Sequence, residues 1–334
     1  MKKRFYTLVE DKNMNITKFR LLLKYAVSLI LLGFLLRHMD MHVLIERSAD
    51  LDLWLFGPAT ALIVLQILFL NMRWHSFLNV GRHNIPFKIS SLINISGYLA
   101  NILFIASIGG IIAKSGLAIR HGLSLTQAVF ATFLDRFMTL AALIVLSALG
   151  LPFLIHTMDN RLIIMLALTV SGVIGAVAFA LLLLRSGLFK DYILSNRKRS
   201  RLIAILRNYT ENYDLMLKTG LLSIVAQLCF ILCVYVLSLG VEGATQNGHT
   251  MEFLALIPVL ALISSLPISF GGWGVREGAF IYGLALIGFP MESAFLLSVQ
   301  VGLVTLIAPF LVGLPYLVRS DLRAFLLGKK RLSA

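Results

Sequence analysis

The sequence predicts an all-α polytopic membrane protein of about six full transmembrane helices plus two re-entrant or broken hairpins, with an inverted repeat relating its halves. Three observations predict this class. Of 334 residues, 58% are hydrophobic and 14% are charged, against about 45–50% and about 25% in soluble domains. Apolar runs of membrane-crossing length recur along the whole chain. The net charge of +14 is gathered in clusters beside those runs.

The charge clusters decide what kind of basic protein this is. Seven Lys/Arg fall in residues 1–24, eight in 185–218 and five in 319–334. Clusters that flank apolar spans fit the anionic cytoplasmic leaflet, so no nucleic-acid partner is expected. The resulting division is a cytoplasmic N-terminal segment (1–20), a transmembrane domain (21–318) with a basic cytoplasmic loop (185–218), and a basic cytoplasmic tail (319–334). The N-terminus is long and polar, and no small-residue cleavage site follows the first apolar run. It reads as a retained first span, not a removed signal peptide.

A bilayer core takes about 20 helical residues. Full spans are expected at 21–36, 53–70, 126–149, 162–184, 221–239 and 294–317. Lys/Arg in the short loops orient them. The basic N-terminus is inside. Residues 38–50, with one arginine and three acids, are outside. Arg73, Arg82 and Lys88 return the chain to the cytoplasm, and the basic 185–218 and the C-terminal tail are inside again. Two apolar segments must then begin and end on one side. Residues 90–110 start and finish inside and contain Gly97 and Gly109-Gly110. Residues 253–289 start and finish outside and contain Pro267 and several glycines. Each is expected to be a hairpin entering from its own face, with plain glycine-rich surface loops as the alternative.

The second hairpin carries the stretch SLPISFGGWGVREGAF (265–280). Set beside it, GGIIAKSG (109–116) matches GGWGVREG (271–278) at three glycines, with Lys114 falling on Arg276. Further on, GLSLTQA (122–128) lies beside GFPMESA (288–294), and both windows run into a long span. One hairpin enters from each face, which makes the repeat inverted. Inverted repeats with broken helices near the midplane mark many secondary transporters. The glycines Gly109, Gly110, Gly271, Gly272 and Gly274 are expected to permit sharp turns and close helix approach.

Charges inside the membrane point to the working site. Asp135 and Arg136 lie about ten residues into a span, where each costs about 2.5–3.5 kcal/mol. Such groups usually face a bundle interior, paired, and mark a pathway; a structural ion pair is the alternative. Neighbours at i, i+1 point apart on a helix, so the two are expected to have different partners. Arg276 at a glycine-rich turn suits a phosphate, because its planar fork binds two oxygens, although an arginine there could also snorkel to the interface. Glu277 is a candidate partner for Arg136 or Lys114. Arg73-Trp74, Trp54 and Trp273 read as interfacial anchors. Gln66, Asn71, Asn94, Asn101, Gln227 and Gln300 read as interhelical hydrogen bonders, and Cys229 and Cys233 as filling one helix face.

No enzymatic signature is found. The seven histidines lie in or beside loops, and neither HExxH, GxSxG nor a P-loop occurs. No catalytic residue, metal or cofactor is expected.

The DR of a middle span followed later by LPxSFGGWGVREG resembles the lysylphosphatidylglycerol synthetase transmembrane region, the flippase-like domain, over nearly the whole chain. The resemblance singles out Asp135, Arg136, Gly271, Gly272, Gly274, Arg276 and Glu277. Gly109, Gly110 and Lys114 look like the family's earlier motif. The synthetases continue into a soluble aminoacyltransferase domain, whereas this sequence ends at RSDLRAFLLGKKRLSA. The resemblance thus implies movement of a phosphate-bearing lipid, of phospholipid or polyprenyl-phosphate type, across a bacterial inner membrane without lipid synthesis. The alternative is a non-transporting accessory protein that presents a lipid to a separate glycosyl- or aminoacyl-transferase.

Overall fold

The computed structural model describes residues 26, 28–49, 51–80, 84–103, 107–155, scattered positions from 161 to 175, 209, 212–241, 249–265 and 272–318. Among the described residues every regular element is helical. In chain order these are α1 (Ser28–Arg37), α2 (Met41–Ala49), α3 (Phe56–Leu78), α4 (Phe87–Leu103), α5 (Ser107–Arg120), α6 (Leu125–Leu154), α7 (Tyr213–Ser238), α8 (Thr250–Ser264), α9 (Val275–Ala285) and α10 (Met291–Val318). A 3₁₀ turn, Leu53–Leu55, leads into α3 with the Asp52 carboxylate accepting from the Trp54 N–H.

Among the described residues four helices are long and apolar enough to cross a membrane: Leu53–Leu78, Leu125–Leu154, Tyr213–Ser238 and Met291–Leu314. The pair α1–α2, bent by 96°, would make a fifth. The chain is therefore a multi-pass membrane protein. The expected span 162–184 lies almost wholly outside the described residues. Helices α4, α5, α8 and α9 have 17, 14, 15 and 11 residues. At about 1.5 Å per residue none reaches the roughly 30 Å of a bilayer core.

Packing centres on α3, which lies along α7 and also meets α4, α6 and α10. Two apolar clusters form. One joins Leu154, Leu237, Phe253, Phe280, Leu284, Phe289 and Val301, and so gathers α8 and α9 against α7 and α10. The other joins Trp74, Leu78, Ile89, Leu92, Leu117, Leu123 and Ala131, and gathers α4 and α5 against the end of α3 and the start of α6. Each pair of short helices thus has its own core. Helices α6 and α8 touch at Gly150, where an added Cβ would lie 3.0 Å from Ala255, the close approach that small residues allow.

The two short-helix pairs end alike. After α5 the Leu123 N–H reaches back to the Ala118 carbonyl across Gly122 (φ 97°); after α9 the Phe289 N–H reaches back to the Leu284 carbonyl across Gly288 (φ 78°). Both are the six-to-one closure of a Schellman turn, which wants a glycine in the left-handed region. A long helix starts three residues later in each case. Ser124 caps α6 through a reciprocal box with Gln127.

The first glycine pair behaves differently from expectation. Gly109 and Gly110 lie inside α5 and make no turn there. Gly110 instead permits contact: its N–H donates to Asn101 Oδ1 at 2.8 Å, and a Cβ would sit 2.4 Å from that atom. Gly97 likewise breaks nothing; it lies within α4. In the second pair Gly272 (φ 84°) and Gly274 (φ 87°) do form a turn before α9, and Gly271 lies outside the described residues.

Candidate functional site

The charged centre is built on α3, α5, α6 and α7. Asp135, 5% exposed, projects from α6. The α3 residue Arg73, 1% exposed, donates Nε and Nη2 to Asp135 Oδ1 at 2.9 and 2.7 Å. The α5 residue Lys114 donates Nζ to Asp135 Oδ2 at 3.1 Å. The remaining guanidinium bonds are taken by Ser223 of α7 and Thr139 of α6, both at 2.8 Å. Both oxygens of Asp135 and all three guanidinium nitrogens of Arg73 are engaged, which a buried ion group requires. Lys114 also lies 4.9 Å from the Trp74 ring and 5.2 Å from the Tyr98 ring, aromatic faces that favour a cation. Gly97 makes this position possible, since a Cβ there would lie 2.5 Å from Lys114 Cγ.

A second ion pair sits at the start of α9. Glu277 is fully buried and binds Arg276 Nη2 at 2.6 Å. Its other oxygen accepts the Gly274 N–H at 2.5 Å, which ties the carboxylate to the free donors of the helix start. Ser298 of α10 donates to it at 3.3 Å. Arg276 stacks over Trp273 at 4.6 Å and lies against Gly302, where a Cβ would meet Nη2 at 2.2 Å.

One cavity of about 380 Å³ joins the two centres. Its lining includes Arg73, Lys114, Asp135 and Arg136 on one side and Gly272, Arg276 and Thr305 on the other, with Gln66, Asn101 and Gln227 between. Arg136 makes no ion pair with Asp135, and among the described residues no hydrogen bond or ion pair engages it. The expectation that neighbours at i, i+1 find different partners therefore holds for Asp135. Among the described residues no three His, Cys, Asp or Glu side chains converge to hold a metal.

A model of the family described as the lysylphosphatidylglycerol synthase TM region matches residues 21–313, most of the chain. The chain belongs to that family. No curated protein matches it. A lysylphosphatidylglycerol synthase transmembrane region is membrane-embedded and lipid-related by description, and the helical architecture agrees.

Sequence reasoning named Lys114, Asp135, Arg136 and Arg276, and all four line the cavity of this family member. Glu277 lies behind Arg276. It pairs with Arg276, not with Arg136 or Lys114 as the sequence reading allowed, because the turn at Gly272–Gly274 folds it back onto its own helix start. The residue missed is Arg73. With the span ended at 70 it read as an interfacial anchor, whereas α3 continues to Leu78 and carries Arg73 and the fully buried Trp74 into the interior. The signal was Asp135 itself, a buried carboxylate in need of a cation from another helix. Trp54 is 88% exposed. Asn94 donates to Asn71 at 2.5 Å, an interhelical bond of the kind expected, and Cys229 and Cys233 are buried.

Proposed function

We propose that this chain is a lipid translocase that moves a phosphate-bearing headgroup across the bacterial inner membrane by alternating access, with both termini in the cytoplasm. The observation that carries the reading is a cavity lined by both short-helix pairs and holding one cation from each, Lys114 and Arg276. In the sequence alignment of the two halves these cations occupy the same position.

Further correspondences support an inverted repeat. Gly122 and Gly288, aligned in sequence, close the same turn. Ser115 contacts Thr132 at 3.2 Å, and their aligned partners Glu277 and Ser298 contact each other at 3.3 Å. The short helices suit two re-entrant hairpins alongside six full spans, the segment 162–184 supplying one of them.

Contacts agree with the sidedness read from charge. Arg47 donates to Ser293, and Gly240 lies against Asp52 and Leu55, all on the expected outer side. Tyr209 of the basic loop donates to the Phe77 carbonyl at 2.9 Å, on the expected inner side.

In this mechanism the phosphate enters the cavity and engages the forks of Arg276 and Arg136, while the hydrocarbon tails stay in the bilayer. Asp135 and Glu277 hold the cations when no phosphate is present and exchange them on binding, or take up a coupling proton. The protein makes and breaks no covalent bond. Purified protein in vesicles, without any partner, should move labelled phospholipid between leaflets. Arg276→Ala should slow that movement at least about 30-fold, the loss expected for truncating a charged partner. Movement unchanged in Arg276→Ala would remove the assigned role. No movement of any lipid by folded protein would favour an accessory that presents lipid to a separate transferase.

A further inference from the structure

We infer that the cavity selects net-anionic headgroups, a terminal phosphate above all, and disfavours the cationic aminoacylated phospholipid after which the family is described. The inference rests on the reading that this cavity receives the headgroup, and goes beyond it in assigning the headgroup's charge.

Charge balance in the cavity favours an anion. Four cations line the cavity, Arg73, Lys114, Arg136 and Arg276. Two carboxylates oppose them: Asp135 in the lining and Glu277 behind Arg276. Two positive charges are left in excess among the described residues. Each carboxylate oxygen already accepts a bond within the protein. Asp135 gives one oxygen to Arg73 and the other to Lys114; Glu277 gives one to Arg276 and the other to the Gly274 N–H. A ligand ammonium group would have to compete with these donors. Arg136 meanwhile has no described partner, and the hydrogen bonds of Arg276 use Nε and Nη2, leaving Nη1.

Arg73, Lys114 and Asp135 are buried, and charges held away from water interact strongly, so the ligand's charge decides the outcome. A terminal phosphate, carrying close to two negative charges, neutralises the excess and presents three acceptor oxygens. A phosphodiester neutralises half of it. A zwitterionic headgroup carries no net charge and neutralises none of it. A lysyl ester of phosphatidylglycerol carries two ammonium groups against one phosphate and adds to the excess. Asn101, Gln66 and Gln227 offer neutral amide donors for remaining phosphate oxygens.

The test measures binding and movement separately. Trp74 and Trp273 flank the cavity cations, so tryptophan fluorescence in detergent can follow titration with short-chain phosphatidic acid, phosphatidylglycerol, phosphatidylethanolamine and lysyl-phosphatidylglycerol, and with inorganic phosphate. Phosphatidic acid should bind at least about tenfold more tightly than phosphatidylethanolamine, with the lysyl lipid weakest. Arg136→Glu should narrow or invert that order, and Arg136→Gln should fall between. If the charge reversal fails to fold, the wild-type order alone decides. Equal binding of all four lipids, or preference for the lysyl lipid, overturns the inference. Inorganic phosphate binding as tightly as phosphatidic acid assigns the site to a soluble anion and overturns its lipid part. The same headgroups in vesicles separate the two claims. Selective binding without movement keeps the inference and removes the translocase, whereas equal movement of every headgroup does the reverse.

Discussion

Removing the carboxylate of Asp135 would leave Arg73 and Lys114 buried with no counter-charge, both within hydrogen-bond reach of the vacated site. Breaking a buried ion group from one side costs about 3–5 kcal/mol. Asp135→Ala is therefore expected to lower the melting temperature sharply in detergent, with Arg73→Ala close behind; a melting point within a degree or two of wild type would contradict this. Arg276→Ala should also lower the melting temperature, because it leaves the fully buried Glu277 carboxylate with only Gly274 and Ser298 as partners, whereas Arg276→Lys keeps a counter-charge there. The sequence made Asp135 legible as a group in need of a partner, since its cost in a span is large whatever the fold. It did not make Arg73 legible, because a cation near the end of an apolar run looks like an anchor until the helix is known to continue to Leu78. Only tertiary packing distinguishes the two.

Among the elements, the short helices carry the clearest consequences. Gly97 and Gly302 are both spaces for a cation, but they accommodate different parts of it. At Gly97 an added Cβ meets the middle of the Lys114 stem; at Gly302 it meets the mobile guanidinium of Arg276. Gly97→Ala should therefore force α4 and α5 apart and cost about 1–3 kcal/mol, as overpacking does, read as a lower melting point. Gly302→Ala should leave the melt almost unchanged and reduce lipid movement several-fold by displacing Arg276. Similar effects of both changes on stability would contradict the distinction. The sequence placed the second helix pair within 253–289, but it ended the first at 110, whereas α5 runs to Arg120 and buries Lys114, and it assigned Gly97 and Gly109-Gly110 to breaks. A glycine in an apolar run signals either a turn or a close approach. Which of the two applies depends on what packs there, here Lys114 and Asn101. The turn glycines Gly122 and Gly288 were legible as a matched pair because a Schellman closure leaves the same local signature twice.

For the whole molecule, the class followed from composition, because no soluble core could absorb so many apolar residues. The proposed sidedness follows from Lys/Arg placement, which acts at the bilayer surface and needs no knowledge of packing. That Arg73 lines the shared cavity was not legible, since it depends on how the helix pairs meet across α3. Sidedness predicts that an impermeant thiol reagent labels Lys88→Cys and Leu125→Cys from the cytoplasm, and Ser48→Cys and Leu286→Cys from the opposite face. Leu125 and Leu286 reacting from the same side would contradict the inverted arrangement. The measurement that bears most directly on translocation uses Thr305→Cys, a cavity position, in a chain with Cys229 and Cys233 replaced by alanine. Alternating access predicts that an impermeant reagent reaches Thr305→Cys from either face, and that phosphate-bearing lipid slows labelling from both. Labelling from one face only, whatever the lipid present, would mean a fixed pocket and contradict the translocase.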